Sequence, residues 1–235
     1  MKCSALLLVA ASALLASASA TRVAPHDDKL IFNTESQEQI TPLVLGGTEV
    51  PVGDKLYLTS LRSSASGGTF CGGALITPRH VLSAGHCGSA AKFVSVASHF
   101  RTGTRDGQQI RVAKETRHPK YAEPDNNAAT YDFLVIELAS PAVNVTPVAL
   151  LRQDPAAVVG QIATTIGWGR TGYPSGAPSN VLLRGDGPVV SDAACKAAGL
   201  SPLDESMVCA GGAKNTGACF GDSGGPLVLE RPTGD

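Results

Sequence analysis

Gly221-Asp222-Ser223-Gly224-Gly225-Pro226 is the stretch of this sequence that carries the most information about fold and chemistry. Its glycines predict a sharp turn around one serine, because a side chain at Gly221, Gly224 or Gly225 would obstruct so tight a path. In isolation such a stretch is often only a loop. The same turn suits a nucleophile when a base and an acid are supplied from elsewhere in the chain.

Two upstream stretches supply those groups: Leu82-Ser83-Ala84-Gly85-His86-Cys87 and Tyr131-Asp132-Phe133-Leu134-Val135. A serine hydroxyl is a poor nucleophile near neutral pH. Peptide hydrolysis therefore needs an imidazole that takes its proton and a buried carboxylate that fixes the imidazole tautomer. We assign these roles to Ser223 as nucleophile, His86 as base and Asp132 as orienting acid. Their order along the chain is one of the known orders of a Ser-His-Asp triad.

Each of these residues also has a structural interpretation. A histidine beside a cysteine is usually structural, and an aspartate at the start of an apolar strand is usually a turn residue. Their joint occurrence in this order favours catalysis. The backbone amides of Gly221 and Ser223 are then the predicted oxyanion hole, in which one donor is typically worth about 2.7–4 kcal/mol. This chemistry requires no metal and no organic cofactor.

The composition is that of an ordinary globular protein. Of 235 residues, 43 % are hydrophobic and 17 % are charged, and the formal net charge is -1. Because the sequence has no Lys/Arg run, it offers no electrostatic footprint for nucleic acid or for anionic membranes. We expect neither as a partner.

The beginning of the chain is predicted to direct secretion to the extracellular space. Lys2 precedes an apolar run from Ala5 to Leu15, and Ala18-Ser19-Ala20 is a small-residue cleavage site. Residues 1–20 are therefore predicted to be a signal peptide. A membrane anchor is disfavoured, because the apolar run is shorter than the ~20 residues that a membrane span needs.

The remainder changes character at Val44. Residues 21–43 are polar and irregular and offer little to bury, which predicts a propeptide. Residues 44–235 contain short β-rich runs separated by Gly, Pro, Asn and Asp, which predicts an all-β barrel or sandwich. These runs are Lys55–Arg62, Thr69–Ile76, Val81–Ser83, Phe93–Ala97, Gln109–Ala113, Phe133–Leu138, Gln161–Gly167, Val181–Leu183, Met207–Ala210 and Pro226–Leu229. The stretch Ser191–Ala198 is predicted to form one or two helical turns capped by its serine.

The cysteine count is odd once the predicted signal peptide is removed. Six cysteines are present, and Cys3 lies in residues 1–20. Two pairs would close short loops: Cys71 with Cys87, and Cys195 with Cys209. Each bridge would contribute about 3 kcal/mol by restricting the unfolded chain. Cys219 is then the residue left over.

Taken together, the sequence resembles the trypsin/chymotrypsin-like serine proteases from Val44 onward. Further matching motifs are Phe70-Cys71-Gly72-Gly73-Ala74-Leu75-Ile76, His118-Pro119-Lys120-Tyr121, Gly167-Trp168-Gly169 and Val208-Cys209-Ala210-Gly211. The resemblance implies two six-stranded antiparallel β-barrels with the cleft between them, with His86 and Asp132 in the first barrel and Ser223 in the second. It also implies the disulfide pairs given above. The predicted function is a secreted serine endopeptidase that acts on proteins or peptides.

A narrower resemblance suggests an alternative function. Val44-Leu45-Gly46-Gly47-Thr48-Glu49-Val50-Pro51-Val52-Gly53 and the segment from Tyr57 to Arg62 resemble secreted trypsin-like proteins of oomycete plant pathogens. Some of these are glucanase inhibitor proteins, protease-shaped molecules that bind a host plant endoglucanase and lack an intact triad. The alternative is therefore an inactive homologue that inhibits a host endoglucanase. This chain keeps all three triad residue types, which favours the protease.

Activation is expected to involve an N-terminal cleavage. In the family, a newly released N-terminus pairs with the aspartate before the serine, and the resemblance implies the pair Val44 and Asp222 here. Leu43 stands where family members often carry Arg or Lys. A trypsin-like activator would therefore find no cleavage site before Val44.

The predicted specificity pocket differs from that of trypsins. The position six residues before the serine, which is an aspartate in trypsins, is Gly217. The pocket floor therefore has no negative charge for a substrate Arg or Lys, and trypsin specificity is disfavoured. Ala218 and Phe220 predict a more apolar surround.

The resemblance also implies that the second barrel is incomplete at the C-terminus. The family continues after the serine strand with further strands and a terminal helix, whereas this sequence has twelve residues after Ser223 (235 − 223). We therefore expect an uncovered strand edge, which would favour association with another chain. The expected partner of Cys219 is absent for the same reason.

Overall fold

The computed structural model describes residues 47–123, 129–172, 175–200, 203–211 and 217–230. The predicted signal peptide and propeptide, and Val44, lie outside the described residues. The described part is built from antiparallel strands with one short α-helix, so the predicted all-β class is confirmed. None of its helices is long and apolar enough to cross a membrane.

The described strands are numbered in chain order. They are β1 (Thr48–Glu49), β2 (Leu58–Arg62), β3 (Thr69–Thr77), β4 (His80–Ser83), β5 (Phe93–Val96), β6 (Gln108–Arg117), β7 (Leu134–Leu138), β8 (Ile162–Gly167), β9 (Leu183–Val190), β10 (Cys209–Ala210) and β11 (Leu227–Val228). The helix α1 (Asp192–Ala197) lies between β9 and β10, and two 3-10 turns span Gly85–Cys87 and Pro155–Val158.

Strands β2 to β7 form a closed six-stranded barrel in the order β2-β3-β4-β7-β6-β5, with every neighbouring pair antiparallel. Strand β7 shows why this sequence makes a barrel wall. Its alternating residues Leu134, Ile136 and Leu138 are fully buried, whereas Val135 between them is partly exposed. Successive side chains of a strand point to opposite faces, so this pattern commits one face to the interior. The predicted first barrel is confirmed.

The second unit is an open sheet in the part of the chain that the structure describes. Its order is β1-β9-β8-β11, and β10 pairs with the far end of β9. The sheet is not closed among these residues, in agreement with the predicted incomplete second barrel. Trp168 and Ile166 are buried with side chains of the first barrel in one hydrophobic cluster. The indole of Trp168 also donates a 3.0 Å hydrogen bond to the carbonyl of His99. The two units therefore pack on a shared core.

Strand β1 is not predicted from the sequence, β10 is shorter than the predicted run, and β9 and β6 extend well past their predicted ends. The sequence predicts strand β9 only at Val181–Leu183, but the strand runs to Val190, through Gly185-Asp186-Gly187-Pro188. A Cβ at Gly187 would lie 2.9 Å from the Cα of Gly211, so glycine is required there by a neighbouring backbone. Strand β6 continues past its predicted end to Arg117, with a register shift between Val112 and Lys114.

The predicted helix and disulfides are present. Ser191 caps α1, because its hydroxyl accepts a 3.2 Å hydrogen bond from the amide of Ala194. One disulfide joins Cys71 in β3 to Cys87, and the other joins Cys195 in α1 to Cys209 in β10. Cys219 is a free, partly buried thiol.

Candidate active site

His86 lies on the 3-10 turn that follows β4, and this turn is held on several sides. The disulfide of Cys87 fixes one end of it to β3. Arg117 of β6 donates hydrogen bonds to the carbonyls of Gly85, at 2.7 Å, and Gly88, at 3.0 Å. A Cβ at Gly85 would come within 2.7 Å of the Tyr121 ring. Only glycine at position 85 therefore lets the ring pack this closely against the turn.

Asp132, directly before β7, holds His86 through two contacts. One carboxylate oxygen accepts a 2.8 Å hydrogen bond from the His86 amide, and the other lies 2.7 Å from His86 Nδ1. The side chains of His86 and Asp132 are 25 % and 10 % exposed, so water competes little for the pair. A carboxylate can only accept, which places the hydrogen on Nδ1 and leaves Nε2 as the basic nitrogen.

The same contact governs the titration of His86. The hydrogen bond to Asp132 raises the pKa of His86 above its ordinary value of 6.5, and partial burial opposes this rise. The negative charges of Asp132 and Glu123 raise the pKa of His86 further. The imidazolium form is thus stabilised, as a proton-accepting base requires.

The turn that carries Ser223 packs directly against this part of the first barrel. The carbonyl of Ser223 accepts a 2.7 Å hydrogen bond from the amide of Gly72 in β3, and it lies 3.8 Å from the sulfur of Cys87. Gly224 adopts a φ of +79°, and a Cβ there would lie 2.6 Å from the carbonyl of Gly72. The backbone of the serine turn and the turn of His86 are therefore neighbours.

The structure joins the three predicted residues to different degrees. His86 and Asp132 are hydrogen-bonded, whereas Ser223 is brought beside them through its backbone. Within the described residues, the Ser223 hydroxyl makes no hydrogen bond to the imidazole. Such bonds are often long in unliganded sites and tighten when substrate binds.

Asp222 is buried below the serine turn, where main-chain amides bind its carboxylate. The amides of Gly169 and Cys219 donate to it at 2.7 and 2.8 Å. Burial raises the pKa of Asp222, and these two hydrogen bonds oppose the rise. A Cβ at Gly167 or at Gly169 would overlap the carboxyl group. This explains the Gly-Trp-Gly motif, whose contact with Asp222 is not evident from the sequence.

The predicted oxyanion-hole and pocket residues lie on the same loop. Gly221 has a φ of +104°, which favours glycine, and a Cβ at this position would be 3.2 Å from the Cα of Gly169. Gly217 lines a small cavity of about 20 Å³. The ring of Phe220 is 38 % exposed, with the Arg170 guanidinium 5.5 Å from its centre. The partner predicted for Asp222, Val44, lies outside the described residues.

One group in the site has the proximity of a metal centre but a different chemistry. Ligand atoms of Cys71, His86 and Cys87 lie within 4.8 Å of one another. Because the two sulfurs are bonded to each other, neither is available as a thiolate ligand. The group is part of the scaffold of the His86 turn.

A closed antiparallel barrel with a histidine-aspartate pair beside a glycine-bounded serine is the arrangement of trypsin-like proteins. The sequence model of the family described as Trypsin matches residues 44–233, and this chain belongs to that family. It is 42 % identical over 198 residues to glucanase inhibitor protein 1 of Phytophthora infestans, which covers 82 % of this chain and 74 % of the relative. It is 38 % identical over 197 residues to trypsin 5G1 of Aedes aegypti, covering 80 % of this chain and 71 % of the relative.

A solved structure supports the same assignment. The fold is similar to that of neuropsin, a serine protease expressed in the limbic system of mouse brain, with a TM-score of 0.70 and 31 % sequence identity. The match covers 77 % of this chain and 81 % of that chain.

Proposed function

We propose that this protein is a secreted serine endopeptidase in which Ser223 is the nucleophile, His86 the base and Asp132 the orienting acid. The observation that carries the proposal is the 2.7 Å contact between His86 Nδ1 and Asp132, on a turn packed against the serine loop. The amides of Gly221 and Ser223 are the proposed oxyanion donors. The disulfides fit an oxidising extracellular compartment.

The proposed reaction proceeds in two halves. His86 Nε2 takes the proton of the Ser223 hydroxyl as the oxygen attacks the scissile carbonyl carbon, and the two amides bind the oxyanion. The imidazolium then gives its proton to the leaving amine, which departs and leaves an acyl-enzyme. A water molecule then attacks the acyl-enzyme carbonyl while His86 takes a proton from it. His86 returns this proton to the Ser223 oxygen, and the acid product is released.

Activation in this proposal depends on Asp222. Asp222 is 4 % exposed, and no cationic side chain pairs with its carboxylate among the described residues. An uncompensated charge at such a site typically costs about 3–5 kcal/mol. A free amino group at Val44 would supply the compensating charge, so cleavage before Val44 is the proposed activating step. Leu43 before the bond indicates an activator that does not require Arg or Lys.

The test is labelling with a fluorophosphonate, which reacts covalently with an activated serine. We expect the secreted chain with Val44 at its N-terminus to be labelled, and the Ser223→Ala variant to remain unlabelled. Labelling should fall strongly in His86→Ala, because the base is lost. Correctly processed and folded wild-type protein that shows no labelling would contradict the proposal.

A second function is favoured by the relatives that are glucanase inhibitor proteins, at 36–42 % identity. In this alternative, the chain binds and inhibits a glucanase of a host plant. Co-precipitation with a plant endoglucanase tests it, and Ser223→Ala is the matched variant. Binding should be equal in both forms if recognition does not use the nucleophile, and absence of binding at micromolar concentration would contradict the alternative.

A further inference from the structure

Tyr131, the residue directly before Asp132, has an unusual backbone conformation. Its φ is +47°, in the left-handed region. Bulky side chains rarely adopt this region, and such a conformation persists only where surrounding contacts hold it. The contacts that hold Tyr131 therefore bear on the placement of the carboxylate that follows it.

Those contacts come from the segment between α1 and β10, which belongs to the second unit. The amide of Tyr131 donates a 2.9 Å hydrogen bond to the hydroxyl of Ser206, and the Tyr131 hydroxyl donates one of 2.5 Å to Glu205. The Ser206 hydroxyl and amide in turn donate to Asp204, at 2.5 and 2.8 Å. Because the Ser206 hydroxyl donates its proton to Asp204, a lone pair of the hydroxyl oxygen remains to accept the hydrogen bond from the Tyr131 amide.

The aromatic ring of Tyr131 is fixed on its other side by the first barrel. It stacks on the ring of His118, with centroids 5.0 Å apart and planes inclined by 8°. The Lys120 ammonium lies 4.8 Å from the centre of the ring. Phe133, on the far side of Asp132, donates its amide to the carbonyl of Tyr131 at 2.7 Å. Asp132 thus lies within a tight turn whose first residue is fixed to both units.

We propose that Tyr131 is a positioning residue that holds Asp132 against His86. It does so through its hydrogen bonds to Glu205 and Ser206, which together are called the clasp. The expected effect on reaction rate rests on the proposed endopeptidase function. The expected effect on the position of Asp132 rests on geometry alone. Release of the clasp lets Tyr131 return to a negative φ, which rotates the peptide leading into Asp132. Misplacement of a catalytic group by about 1 Å can lower a rate by as much as about 100-fold.

The test uses the secreted, processed full chain and the double variant Tyr131→Phe/Ser206→Ala. This variant removes both hydrogen bonds of the clasp but keeps the ring that stacks on His118. We expect the fluorophosphonate labelling rate to fall at least about tenfold. We also expect the low-field proton NMR signal of His86 Nδ1–H to broaden or shift, and the pKa of His86 measured by NMR to fall, because its partner Asp132 is less well held. Glu123, which also raises the pKa of His86, is unchanged in the variant.

Three further variants separate positioning from general loss of structure. Ser206→Thr keeps the accepting hydroxyl, so its NMR signal and labelling rate should match those of the wild type, in contrast to Ser206→Ala. Lys114→Ala removes an exposed lysine of β6 that lies outside these contacts and should leave both unchanged. If the double variant does not fold, Ser206→Ala alone must show a smaller change in the same direction.

The outcomes distinguish this inference from the proposed function. If the wild type is labelled and the double variant is labelled equally fast with an unchanged His86 signal, the positioning role is wrong and the endopeptidase stands. If the wild type is not labelled but the His86 signal still depends on the clasp, positioning stands and the endopeptidase is wrong. A Ser206→Thr variant that behaves like Ser206→Ala would also contradict the role of the hydroxyl.

Discussion

Arg117 is expected to be the side chain outside the proposed triad that most directly stabilises the turn of His86. Its guanidinium donates to the carbonyls of Gly85 and Gly88 on either side of the histidine, and it lies 5.3 Å from the centre of the Tyr121 ring. The substitution Arg117→Met removes both hydrogen bonds while keeping an unbranched apolar stem over the ring. We expect a less stable protein with a less active His86.

The magnitude follows from the exposure of each bond. A hydrogen bond to a charged group is worth about 1.5–3 kcal/mol, and the partly buried bond to Gly85 belongs at the lower end. The bond to Gly88 is solvent-exposed and contributes about 0.5 kcal/mol. The carbonyl of Gly85 keeps the amide of Gly88 as a donor at 3.1 Å, so no buried acceptor is left unpaired. The two hydrogen bonds total about 2 kcal/mol, and loss of the cation from the Tyr121 ring adds about 0.5–1 kcal/mol. The expected decrease in Tm is about 5–12 °C for a domain of this size.

Urea unfolding and thermal unfolding measure this loss, and fluorophosphonate labelling measures the effect on His86. Labelling is expected to slow about threefold to tenfold because the turn is less well fixed. Arg111→Met is the matched control, since it removes the same charge from the same strand. Arg111 is exposed and lies over the Phe93 ring at 5.0 Å, a contact worth about 0.5–1 kcal/mol. Equal losses in the two variants would refute the reasoning, because charge or strand propensity would then explain both.

Three other predictions follow from the site. Asp132 raises the pKa of His86 and so stabilises the folded protein when His86 is protonated. This stabilisation is complete below the ordinary pKa of 6.5 and is lost as pH rises through the raised pKa. Asp132→Asn should therefore lower Tm more at about pH 5.5 than at about pH 8.5, and the reverse dependence would contradict this. Gly169→Ala should lower the free energy of unfolding by about 1–3 kcal/mol, since its Cβ overlaps the Asp222 carboxyl, and wild-type stability in urea would disprove the overlap. A thiol reagent should find one free thiol in the mature protein, absent in Cys219→Ser, whereas a count of zero would show an additional bridge.

The local sequence pattern is sufficient to predict a strand where hydrophobic and other residues alternate strongly. It predicts strand β7 within one residue of its start, because the alternating apolar residues leave no other face for the core. The same reasoning fails in β9, since Gly185, Gly187 and Pro188 are residues that normally interrupt strands. Pairing with β8 and the close approach of Gly211 outweigh those local preferences.

The site shows the same division between local signal and tertiary contact. The order of His86 and Asp132 along the chain is enough to predict that they meet, because a family motif accompanies each residue. No sequence pattern assigns a role to Arg117 or to Tyr131, although Tyr131 begins the stretch that contains Asp132. One is a charged residue in a half-exposed strand, and the other is a tyrosine before a strand. Their roles arise from carbonyls and hydroxyls that come from distant segments, which no local pattern encodes.

The serine turn is held by close backbone contacts between glycines, one across the two units and one within the second unit. A Cβ at Gly72 of the first barrel would lie 3.1 Å from the Cα of Gly225, and one at Gly221 would lie 3.2 Å from the Cα of Gly169. A side chain at Gly72 or Gly221 would require the neighbouring backbone to move by a few tenths of an ångström. Elsewhere in the core, conservative apolar substitutions are absorbed by neighbouring side chains at a cost typically below about 1.5 kcal/mol. The distance between the Ser223 backbone and the His86 turn should therefore change little on conservative apolar substitutions in the core and change measurably on substitution of Gly72 or Gly221 by alanine.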